Sequence, residues 1–544
     1  TEASEIYRQD GLKGLTKISY VGKSMAEHIE ELIKTGTFGE YQRMKRDVPV
    51  DVSELMQIEG LGPKKIFELW KKLKIRNLVE LEAAANSGKI RTLSNFGEKS
   101  EQKILKGLSF LRKSAGRQLL GYILPEAKQL EQAVRGLPEV TEAILTGSLR
   151  RRKETIGDID LVVVSKKPDK VMEGFRNLPM VAHVIGSGST KTSIKLKNGS
   201  NVDLRVVPED SLGAALIYFT GSKDHCIALR EIAIKKELKL NEYGLYKGNR
   251  CIAGKTEQEI YRALGLEFIE PEMRENLGEI KLAKEKRLPK LIEYGELKGD
   301  LQVQTNWTDG EHSMEEMALA AEKQGLEYIV ITDHTQSLAM MGSDQMKLMK
   351  QMKEIDVLND KLRKNGHKIL VLKGAEVNIM KDGTLDMPDE ILGQLDVVGA
   401  AVHSFMHLTR EEQTKRVLRA MENPNVDILF HPTSRKILAR DPIDVDMEAV
   451  IDCAKRTDTV LEIDAHPDRL DLRDEWIRRS LEAGVKLSID SDAHSVSHFK
   501  HLEFGIAQAR RGWATTKDIV NTKPLKEFLS LLKNGKSKHK RKNK

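Results

Sequence analysis

The sequence predicts a multidomain α plus α/β protein, with a helical N-terminal region, a mixed α/β region and a C-terminal region of repeated βα units. The 544 residues correspond to three or four domains of ordinary size. Glycines divide roughly the first 112 residues into short helical stretches, and β-like runs, among them 192–196, follow from about residue 118. After residue 300, seven β-like runs alternate with helical stretches, which indicates a barrel or a doubly wound sheet.

The composition argues against membrane-spanning and disulfide-rich classes of protein. No run of about 18 uncharged apolar residues is present, and the charged start lacks the apolar stretch of a secretory signal. We therefore expect a soluble, cytoplasmic protein. Three distant cysteines without Cys-x-x-Cys spacing, Cys226, Cys251 and Cys453, argue against disulfides and thiolate zinc sites. Because no heptad or exposed apolar repeat is evident, we expect a monomer.

The net charge of +7 is unevenly distributed along the chain. Residues 1–299 carry +10, residues 300–535 carry −9 and residues 536–544 carry +6. A basic first half suits a polyanionic partner, because Lys and Arg displace counterions from phosphate. We interpret the basic tail as a solvated terminal segment and assign it no function.

The helical region contains a recurring pattern of a glycine turn followed by lysine at the start of a helix. The three copies are Tyr20-Val-Gly-Lys23, Ile58-Glu-Gly-Leu-Gly-Pro-Lys64 and Asn95-Phe-Gly-Glu-Lys99. Amides at a helix N-terminus can hold a nucleic-acid phosphate, although a single copy is more typical of an ordinary helix–helix turn. Together they resemble helix-hairpin-helix elements, of which the Gly60 copy is the clearest. We expect these residues to bind DNA: Gly60, Gly62, Lys64, Gly97 and Lys99.

Directly after the first copy of this pattern, we predict an amphipathic helix over residues 24–35. Met25, Ile29, Leu32 and Ile33 are spaced so that they share one face of it.

The mixed α/β region contains an acidic pattern typical of phosphoryl transfer. Asp158 and Asp160 lie two apart at the start of a predicted strand, whose apolar run is 159–164, and therefore face the same way. Asp203, on the predicted strand 201–207, would complete a cluster able to hold two Mg²⁺ ions about 3.5 to 4 Å apart. The alternative is surface acid on an edge strand. Gly147-Ser148 and four successive cationic residues just upstream favour the metal site.

These residues resemble those of the family X DNA polymerases, the DNA polymerase beta class, over residues 20–247. Tyr218-Phe-Thr-Gly-Ser222 matches that family's nucleotide-binding segment. The resemblance implies a nucleotidyltransferase palm, Mg²⁺ or Mn²⁺, a DNA primer-template and selection of deoxynucleotides. It also implies that the following residues contact the incoming nucleotide or the template base: Ser148, Arg151, Gly157, Tyr218, Phe219, Gly221, Cys226 and Arg230.

Two positions depart from that family. Cys226 stands where an asparagine usually contacts the base, so we expect altered fidelity or nucleotide affinity. His28 stands where lyase members carry the lysine that forms a Schiff base, and imidazole cannot form that imine. We therefore do not expect 5′-deoxyribose-phosphate lyase activity. We also expect a truncated first domain, because the helices that usually precede this element in the family have no counterpart before it in the given sequence.

The second half is rich in histidine, with 11 of the 14 histidines after residue 300. Several follow predicted strands. In a βα barrel the carboxyl ends of successive strands lie close together, so histidines and carboxylates at these ends can bind Zn²⁺, Mn²⁺ or Fe. This half resembles the PHP (polymerase and histidinol phosphatase) domain, whose fold is a distorted (βα)7 barrel. The resemblance implies a trinuclear metal site formed by Asp309, His334, Glu376, His403, His431, Asp492 and His494.

The opening His-x-His of that domain is absent, because Gln302 and Gln304 occupy its two positions. We therefore expect at least one metal to bind poorly or to be lost. The sequence does not decide whether the barrel keeps the family's 3′-5′ exonuclease and abasic-site cleavage activities. His407, His466, His498 and His501 match no ligand position and are interpreted as surface or supporting groups.

The resemblances thus predict a DNA polymerase joined to a PHP barrel, which adds deoxynucleotides to the 3′ end of a primer in short gaps during repair. The alternatives are a PHP nuclease whose N-terminal half holds DNA, and a polymerase with a non-catalytic barrel as scaffold. The predicted domains are a truncated helical domain 1–50, a helix-hairpin-helix domain 51–117, a palm 118–207, a nucleotide-selection thumb 208–270, a linker 271–299, the PHP barrel 300–532 and a basic tail 533–544.

Overall fold

The computed structural model describes residues 3–18, 21–35, 39, 43, 50–56, 58, 61–114, 116–337 and 342–532. The chain forms two compact units, residues 1–115 with 438–440 and residues 116–437 with 441–544. Across the described parts of the chain, we find no helix with the length and apolar character needed to cross a membrane.

The first unit is helical, as the sequence predicts. Its described helices are α1 (Ala3–Leu15), α2 (Lys23–Thr35), α3 (Val52–Leu55), α4 (Pro63–Leu73), α5 (Leu78–Asn86) and α6 (Glu98–Ser114). Residues 55–108 have their own apolar core, in which Ile66, Leu81 and Phe96 are buried. The Asn77 side chain accepts a hydrogen bond from the Glu80 amide and so starts α5.

The predicted helix at residues 24–35 is present as α2, but its apolar face is largely exposed. Met25 is 52% exposed and Leu32 is 46% exposed, whereas Ala26 is buried. The helical spacing was therefore predicted correctly, but spacing alone did not reveal which side is covered.

The second unit begins with the palm, a five-stranded mixed sheet in the order β2-β4-β7-β6-β5. Its strands are β2 (Glu142–Leu145), β4 (Asp158–Val164), β5 (Val181–Ser187), β6 (Lys191–Leu196) and β7 (Asn201–Val207), with the short pair β1 (Gln118–Leu119) and β3 (Thr155–Ile156) beside it. The helices are α7 (Leu120–Arg135), α8 (Gly147–Arg150) and α9 (Pro168–Arg176). The central strand β4 is buried from Leu161 to Val164, which explains its continuous apolar run.

The thumb follows the palm and has a separate apolar core. It contains α10 (Leu212–Thr220), α11 (Lys223–Lys235), the antiparallel strands β8 (Lys239–Asn241), β9 (Gly244–Lys247) and β10 (Arg250–Ala253), α12 (Glu257–Ala263) and α13 (Glu279–Glu285). The buried His225 lies between Glu279, 2.7 Å from Nδ1, and the Tyr261 hydroxyl, 2.9 Å from Nε2. Helix α13 thereby joins the thumb core, within the segment that the sequence predicts to be a connector with some helix in it.

The C-terminal part is a barrel of seven parallel strands in chain order. They are β11 (Gly299–Val303), β12 (Tyr328–Ile331), β13 (Leu370–Asn378), β14 (Val397–Ala401), β15 (Ile428–Leu429), β16 (Val460–Asp464) and β17 (Leu487–Asp490). A parallel bridge between Val303 and Ala493 brings the first and last strands together. All seven predicted strands are confirmed, and this closure decides for the barrel against the doubly wound sheet.

The barrel helices are α14 (Met314–Lys323), α15 (Gln345–Lys364), α16 (Asp389–Leu392), α17 (Arg410–Met421), α18 (Met447–Thr457), α19 (Asp474–Ala483), α20 (Leu502–Arg511) and α21 (Leu525–Leu531). Capping boxes start α14 at Ser313 and α17 at Thr409. The loops at the carboxyl ends of the strands carry the histidines that the sequence singles out.

Candidate active sites

Three carboxylates meet at one edge of the palm sheet. Strands β4 and β7 are parallel, and their register places Asp160 directly beside Asp203. Asp158 lies two residues before Asp160 on β4 and therefore projects to the same side. The expectation that Asp203 lies on the adjacent strand is confirmed by this register.

The carboxylates create a site that favours a cation. Burial, followed by the charges of Asp158 and Asp203, raises the pKa of Asp160 to about 7. Carboxylate oxygens are the ligands that Mg²⁺ and Mn²⁺ prefer, so these side chains fit divalent ions of that class. The arrangement can support two-metal phosphoryl transfer.

Two residues on β6 contact Asp203, and the sequence analysis did not identify them. The Ser193 hydroxyl donates to Asp203 Oδ1 at 2.6 Å, and Lys191 Nζ lies 2.7 Å from Asp203 Oδ2. Lys191 and Ser193 alternate on the strand paired with β7, so strand alternation could have identified them once that pairing was known.

The turn before α8 requires glycine at position 147. Gly147 has φ +61°, and a Cβ at this position would overlap Asp160 Oδ2. The Thr146 amide also donates to the Asp160 carbonyl at 2.8 Å. The turn therefore lies directly against the carboxylate cluster.

The arginines after this turn bind protein groups in the structure. Arg150 donates to Glu257 Oε1 at 2.9 Å and to the Thr220 hydroxyl at 2.8 Å. Arg151 lies 3.1 Å from Glu275 Oε1 and also donates to the Thr220 carbonyl. Ser148 and Gly157 are partly exposed on the same stretch of chain.

The segment Tyr218–Ser222 ends α10 beside the palm sheet. Tyr218 is 41% exposed, and its ring lies 5.0 Å from that of Phe219. The guanidinium of Arg205, two residues after Asp203, lies 5.0 Å from the Phe219 ring. Gly221 has φ +69° and ends the helix. These contacts bring the segment close to the strand that carries Asp203.

Cys226 and Arg230 lie on the following helix, α11. The Cys226 thiol donates to the Ile217 carbonyl at 3.4 Å, and the residue is only 7% exposed. Arg230 Nε donates to the Cys226 carbonyl at 3.2 Å. The thiol thus faces the end of α10 in this structure.

The predicted DNA-binding turns lie in the first unit. Gly62 precedes α4, Gly97 precedes α6, and a Cβ at either position would meet nothing within 4 Å. Lys64 is exposed in the first turn of α4. Gly60 and the side chain of Lys99 lie outside the described residues, as does Tyr20 in the first copy.

Glu376 lies at the centre of the histidine cluster in the barrel. Its Oε1 is 3.0 Å from His403 Nε2 and 2.9 Å from His431 Nε2. His334 Nδ1 is 3.5 Å from Oε2. Although burial opposes it, the charges of His334 and His403 hold the pKa of Glu376 well below its usual value.

A second carboxylate, Asp309, extends the cluster. Its Oδ2 lies 3.4 Å from His334 Nε2 and 3.4 Å from His494 Nε2. Asp492 lies beside His494, with Oδ1 3.7 Å from Nδ1. The structure therefore brings together the seven predicted ligand positions, whose roles as ligands remain predictions.

Within this cluster, two groups of donors have the spacing of metal sites. They are Asp309, His334 and His494, and His334, Glu376 and His403, each with ligand atoms within 4.8 Å of one another. Imidazole and carboxylate together suit Zn²⁺, Mn²⁺ or Fe, so the residues present fit ions of this class.

Gln302 and Gln304 occupy the place of the missing histidine pair. Their side-chain amides donate to Glu376 Oε2 at 3.1 Å and 2.8 Å. The two amide oxygens are buried, and neither has a hydrogen-bond partner among the described residues. Glu376 Oε2, which would ligate a metal in the predicted site, therefore accepts hydrogen bonds from both glutamine amides.

Arg469 lies next to Asp492 and was not identified from the sequence. Its Nε is 3.6 Å from Asp492 Oδ2 and 3.3 Å from Asp464 Oδ2. It follows β16 by five residues, and no motif marks it. Arg469 places a fixed positive charge against one of the predicted metal ligands.

Comparisons with known proteins agree with this architecture. Family models match residues 52–109 as a SAM-like helix-hairpin-helix tandem, residues 215–275 as a DNA polymerase beta thumb and residues 300–523 as a PHP domain. The chain is 36% identical over 524 residues to the DNA polymerase/3′-5′ exonuclease PolX of Bacillus subtilis, which covers 95% of this chain and 91% of that protein. The chain belongs to the family X DNA polymerases that carry a PHP domain.

Further relatives match one half of this family X polymerase. A probable phosphatase of a Thermoanaerobacter species is 31% identical over 227 residues, which are 39% of this chain and 86% of that protein. The polymerase beta of Leishmania infantum, solved in a ternary complex, is 21% identical with a TM-score of 0.27 and covers 41% of this chain and 97% of that chain. The family predicted from the sequence is confirmed by the PolX relative.

In this family X polymerase, ion pairs join the palm and thumb to the barrel. Arg435 lies 2.8 Å from Glu154, and Arg152 lies 3.3 Å from Glu503. Arg511, which is 2% exposed at its side chain, lies 3.1 Å from Glu275 and also pairs with Asp474. Residues 116–437 and 441–532 therefore form one packed unit.

Proposed function

We propose that this family X polymerase adds deoxynucleotides to the 3′-hydroxyl of a primer, in short gaps during DNA repair. The observation that carries this proposal is the β4–β7 register, which sets Asp160 beside Asp203 with Asp158 on the same side. Two Mg²⁺ or Mn²⁺ ions bound there would activate the attacking hydroxyl and neutralise the triphosphate and the leaving pyrophosphate.

The chain's own residues would prepare that site. Lys191 and Ser193 hold the Asp203 carboxylate from one side, and Gly147 leaves the space next to Asp160 free of a side chain. We infer that Ser148, Arg151 and Gly157 contact the triphosphate. For Arg151, this requires its guanidinium to exchange the Glu275 contact for phosphate.

Nucleotide selection is assigned to the segment that ends α10. The exposed Tyr218 and its neighbour Phe219 would lie against the sugar, and Arg230 would lie near the template base. The cation–π contact between Arg205 and Phe219 supports this placement, because it ties the segment to the strand of Asp203. DNA would be held through its phosphates at the Gly60–Lys64 and Gly97–Lys99 turns.

Primer extension on gapped DNA tests the polymerase assignment. We expect Asp158→Ala and Asp160→Ala to lower the extension rate by at least about 100-fold, because each removes a ligand oxygen of the phosphoryl-transfer site. Asp169→Ala, an exposed aspartate on α9, is the matched control and should extend at the wild-type rate. Wild-type extension by Asp158→Ala and Asp160→Ala would refute the assignment.

We further propose that the barrel binds two metal ions and cleaves DNA from the 3′ end. The two donor groups built around His334 support the metal sites. The contacts of Gln302 and Gln304 with Glu376 argue that a third site is lost. The same contacts favour the alternative that the barrel is a non-catalytic scaffold.

Restoring the histidine pair separates these alternatives. We expect Gln302→His/Gln304→His to gain bound Mn²⁺ or Zn²⁺, measured by elemental analysis, and to digest a labelled 3′ end faster than wild type. His334→Ala should lose both metal and cleavage. If wild type and His334→Ala leave the 3′ end equally intact, the scaffold alternative is correct.

A further inference from the structure

Three histidines outside both candidate active sites form a separate cluster. His466 follows β16, while His498 and His501 lie in the 3₁₀ segment Val496–His501 after β17. The ring centroids are 5.8 Å apart for His466 and His498, 5.0 Å for His466 and His501, and 4.7 Å for His498 and His501. One ring nitrogen from each lies within 4.8 Å of the other two.

The hydrogen bonds around His466 leave one of its nitrogens available as a ligand. His466 Nδ1 lies 2.6 Å from Asp468 Oδ1, so Nδ1 donates its proton and Nε2 carries a free lone pair. A carboxylate on the distal nitrogen is the usual way in which proteins orient a metal-binding histidine. This contact therefore indicates a ligand role for the His466 ring.

His501 supplies a second indication. Its Nδ1 is buried and has no hydrogen-bond partner among the described residues. A buried polar atom left without a partner is costly, and a bound ion would satisfy it.

His498 can join the other two rings at the cost of one hydrogen bond. Its Nδ1 accepts a 3.2 Å hydrogen bond from the His494 amide. Ligation through Nδ1 uses this lone pair, and ligation through Nε2 moves the proton to Nδ1, so either mode releases the amide. The loss of this one hydrogen bond is small beside the three metal–nitrogen bonds that would form.

The cluster lies where the barrel meets the palm. Pro467, next to His466, fills the space beside Gly121 on α7, where a Cβ would overlap it. Phe504, whose ring lies 6.3 Å from that of His501, is 3.3 Å from the same position. Glu503 pairs with Lys128 on α7 at 3.0 Å. An ion held by the three rings would therefore brace this joint.

We propose that His466, His498 and His501 bind one borderline-soft divalent transition-metal ion, of the Zn²⁺, Co²⁺ or Ni²⁺ class, at the palm–barrel joint. Three imidazoles that leave one coordination position open bind ions of this class more tightly than Mg²⁺ or Mn²⁺. Tetrahedral coordination at about 2.0–2.1 Å sets the nitrogens roughly 3.4 Å apart, which small side-chain rotations would achieve.

Metal analysis of the full chain tests this site. The probes are Zn²⁺ and, in parallel, Co²⁺, whose visible absorption intensifies in tetrahedral coordination. We expect His466→Ala/His501→Ala to bind one Zn²⁺ fewer per chain than wild type and to lose the corresponding share of the Co²⁺ absorption. Bound Mn²⁺ and primer extension should stay unchanged, which also shows that the variant is folded.

Two controls separate this site from the barrel site. His407→Ala removes an exposed barrel histidine and should keep the wild-type amount of Zn²⁺. His334→Ala should lose barrel metal but keep the ion at the joint. If the double variant does not fold, His498→Gln is measured in the same way. An amount of bound Zn²⁺ equal to that of His407→Ala, in either variant, would overturn the proposal.

Discussion

At the scale of single residues, Asp160 is held in a state that favours its protonated form. Its pKa of about 7 lies above the ordinary value of 3.8, so the folded protein binds this proton more tightly than the unfolded chain. The metal-free protein should therefore lose stability as pH rises from about 4 to 7. The full shift corresponds to at most about 4 kcal/mol.

Asp160→Asn should remove this loss. In EDTA we expect the variant to unfold at a higher temperature than wild type at pH 8, with a much smaller difference at pH 4.5. Thermal unfolding followed by circular dichroism measures both values, and Asp224→Asn, at an exposed thumb position, serves as control. Equal melting temperatures of Asp160→Asn and wild type at pH 8 would contradict the expectation.

Gly147 offers a prediction about catalysis rather than stability. Gly147→Ala would introduce both a strained positive φ and an overlap with Asp160 Oδ2, so we expect a loss of at least about 100-fold in kcat for primer extension. Gly199→Ala is a matched control, because Gly199 also has positive φ, +92°, but open space around it. If the two variants extend primers equally well, the overlap has no role in catalysis.

Residues that carry a motif were predicted from the sequence, whereas their partners were not. Asp158, Asp160 and Asp203 were identified because strand alternation and spacing are local properties. Arg469 and Lys191 were missed, because their contacts with Asp492 and Asp203 arise only when distant parts of the chain pack together. The hydrogen bonds of Gln302 and Gln304 were likewise not predictable, because their acceptor, Glu376, lies more than 70 residues away in the sequence.

At the scale of elements, burial decided which strands could be predicted. The seven barrel strands and the palm strands β4, β6 and β7 were identified from their apolar or alternating runs. Strand β5, at the edge of the palm sheet, was missed because most of its residues are exposed and it lacks an apolar run. The thumb strands β8–β10 have only three or four residues each, too few to show an alternating pattern, and were therefore missed.

A largely buried ion cluster connects the palm helix α8, which ends at Arg150, to the thumb helix α12. Glu257 accepts hydrogen bonds from Arg150 and from Arg274, at 2.9 Å and 2.7 Å. Although burial opposes it, Arg274 and Arg150 lower the pKa of Glu257 to about 2. The ion pairs of Glu257 therefore stabilise the folded protein fully above pH 4.5, and this stabilisation is lost as pH falls toward 2.

Glu257→Gln should destabilise the protein at pH 7, because the buried Arg274 and the partly buried Arg150 lose their charged partner. We expect a loss of about 3 kcal/mol, seen as a lower denaturation midpoint in urea, and a smaller loss at pH 4. Glu209→Gln, which breaks an exposed pair with Lys255, should change the midpoint little. A loss that is independent of pH would show that the charge of Glu257 is not its cause.

At the scale of the whole molecule, Arg511 connects the polymerase half to the barrel. Its guanidinium contacts Glu275 and the Arg151 carbonyl on one side and Asp474 on the other. Although burial opposes it, Arg511 and the neighbouring Lys153 together with other cationic groups hold the pKa values of both carboxylates below the ordinary range. The loop that carries Arg151 is thus held by a residue more than 350 positions away.

Arg511→Met should loosen this connection while retaining most of the side-chain volume. The partly buried Glu275 and Asp474 would lose their shared partner, and breaking a buried ion pair costs up to about 3–5 kcal/mol. Because Glu275 also holds Arg151, we expect a raised KM for the incoming nucleotide in primer extension together with faster proteolysis. Lys128→Ala, which removes a more exposed contact between the same parts, should affect both little. A normal KM in an Arg511→Met protein that is cleaved faster would mean that the joint supports the fold without influencing the polymerase site.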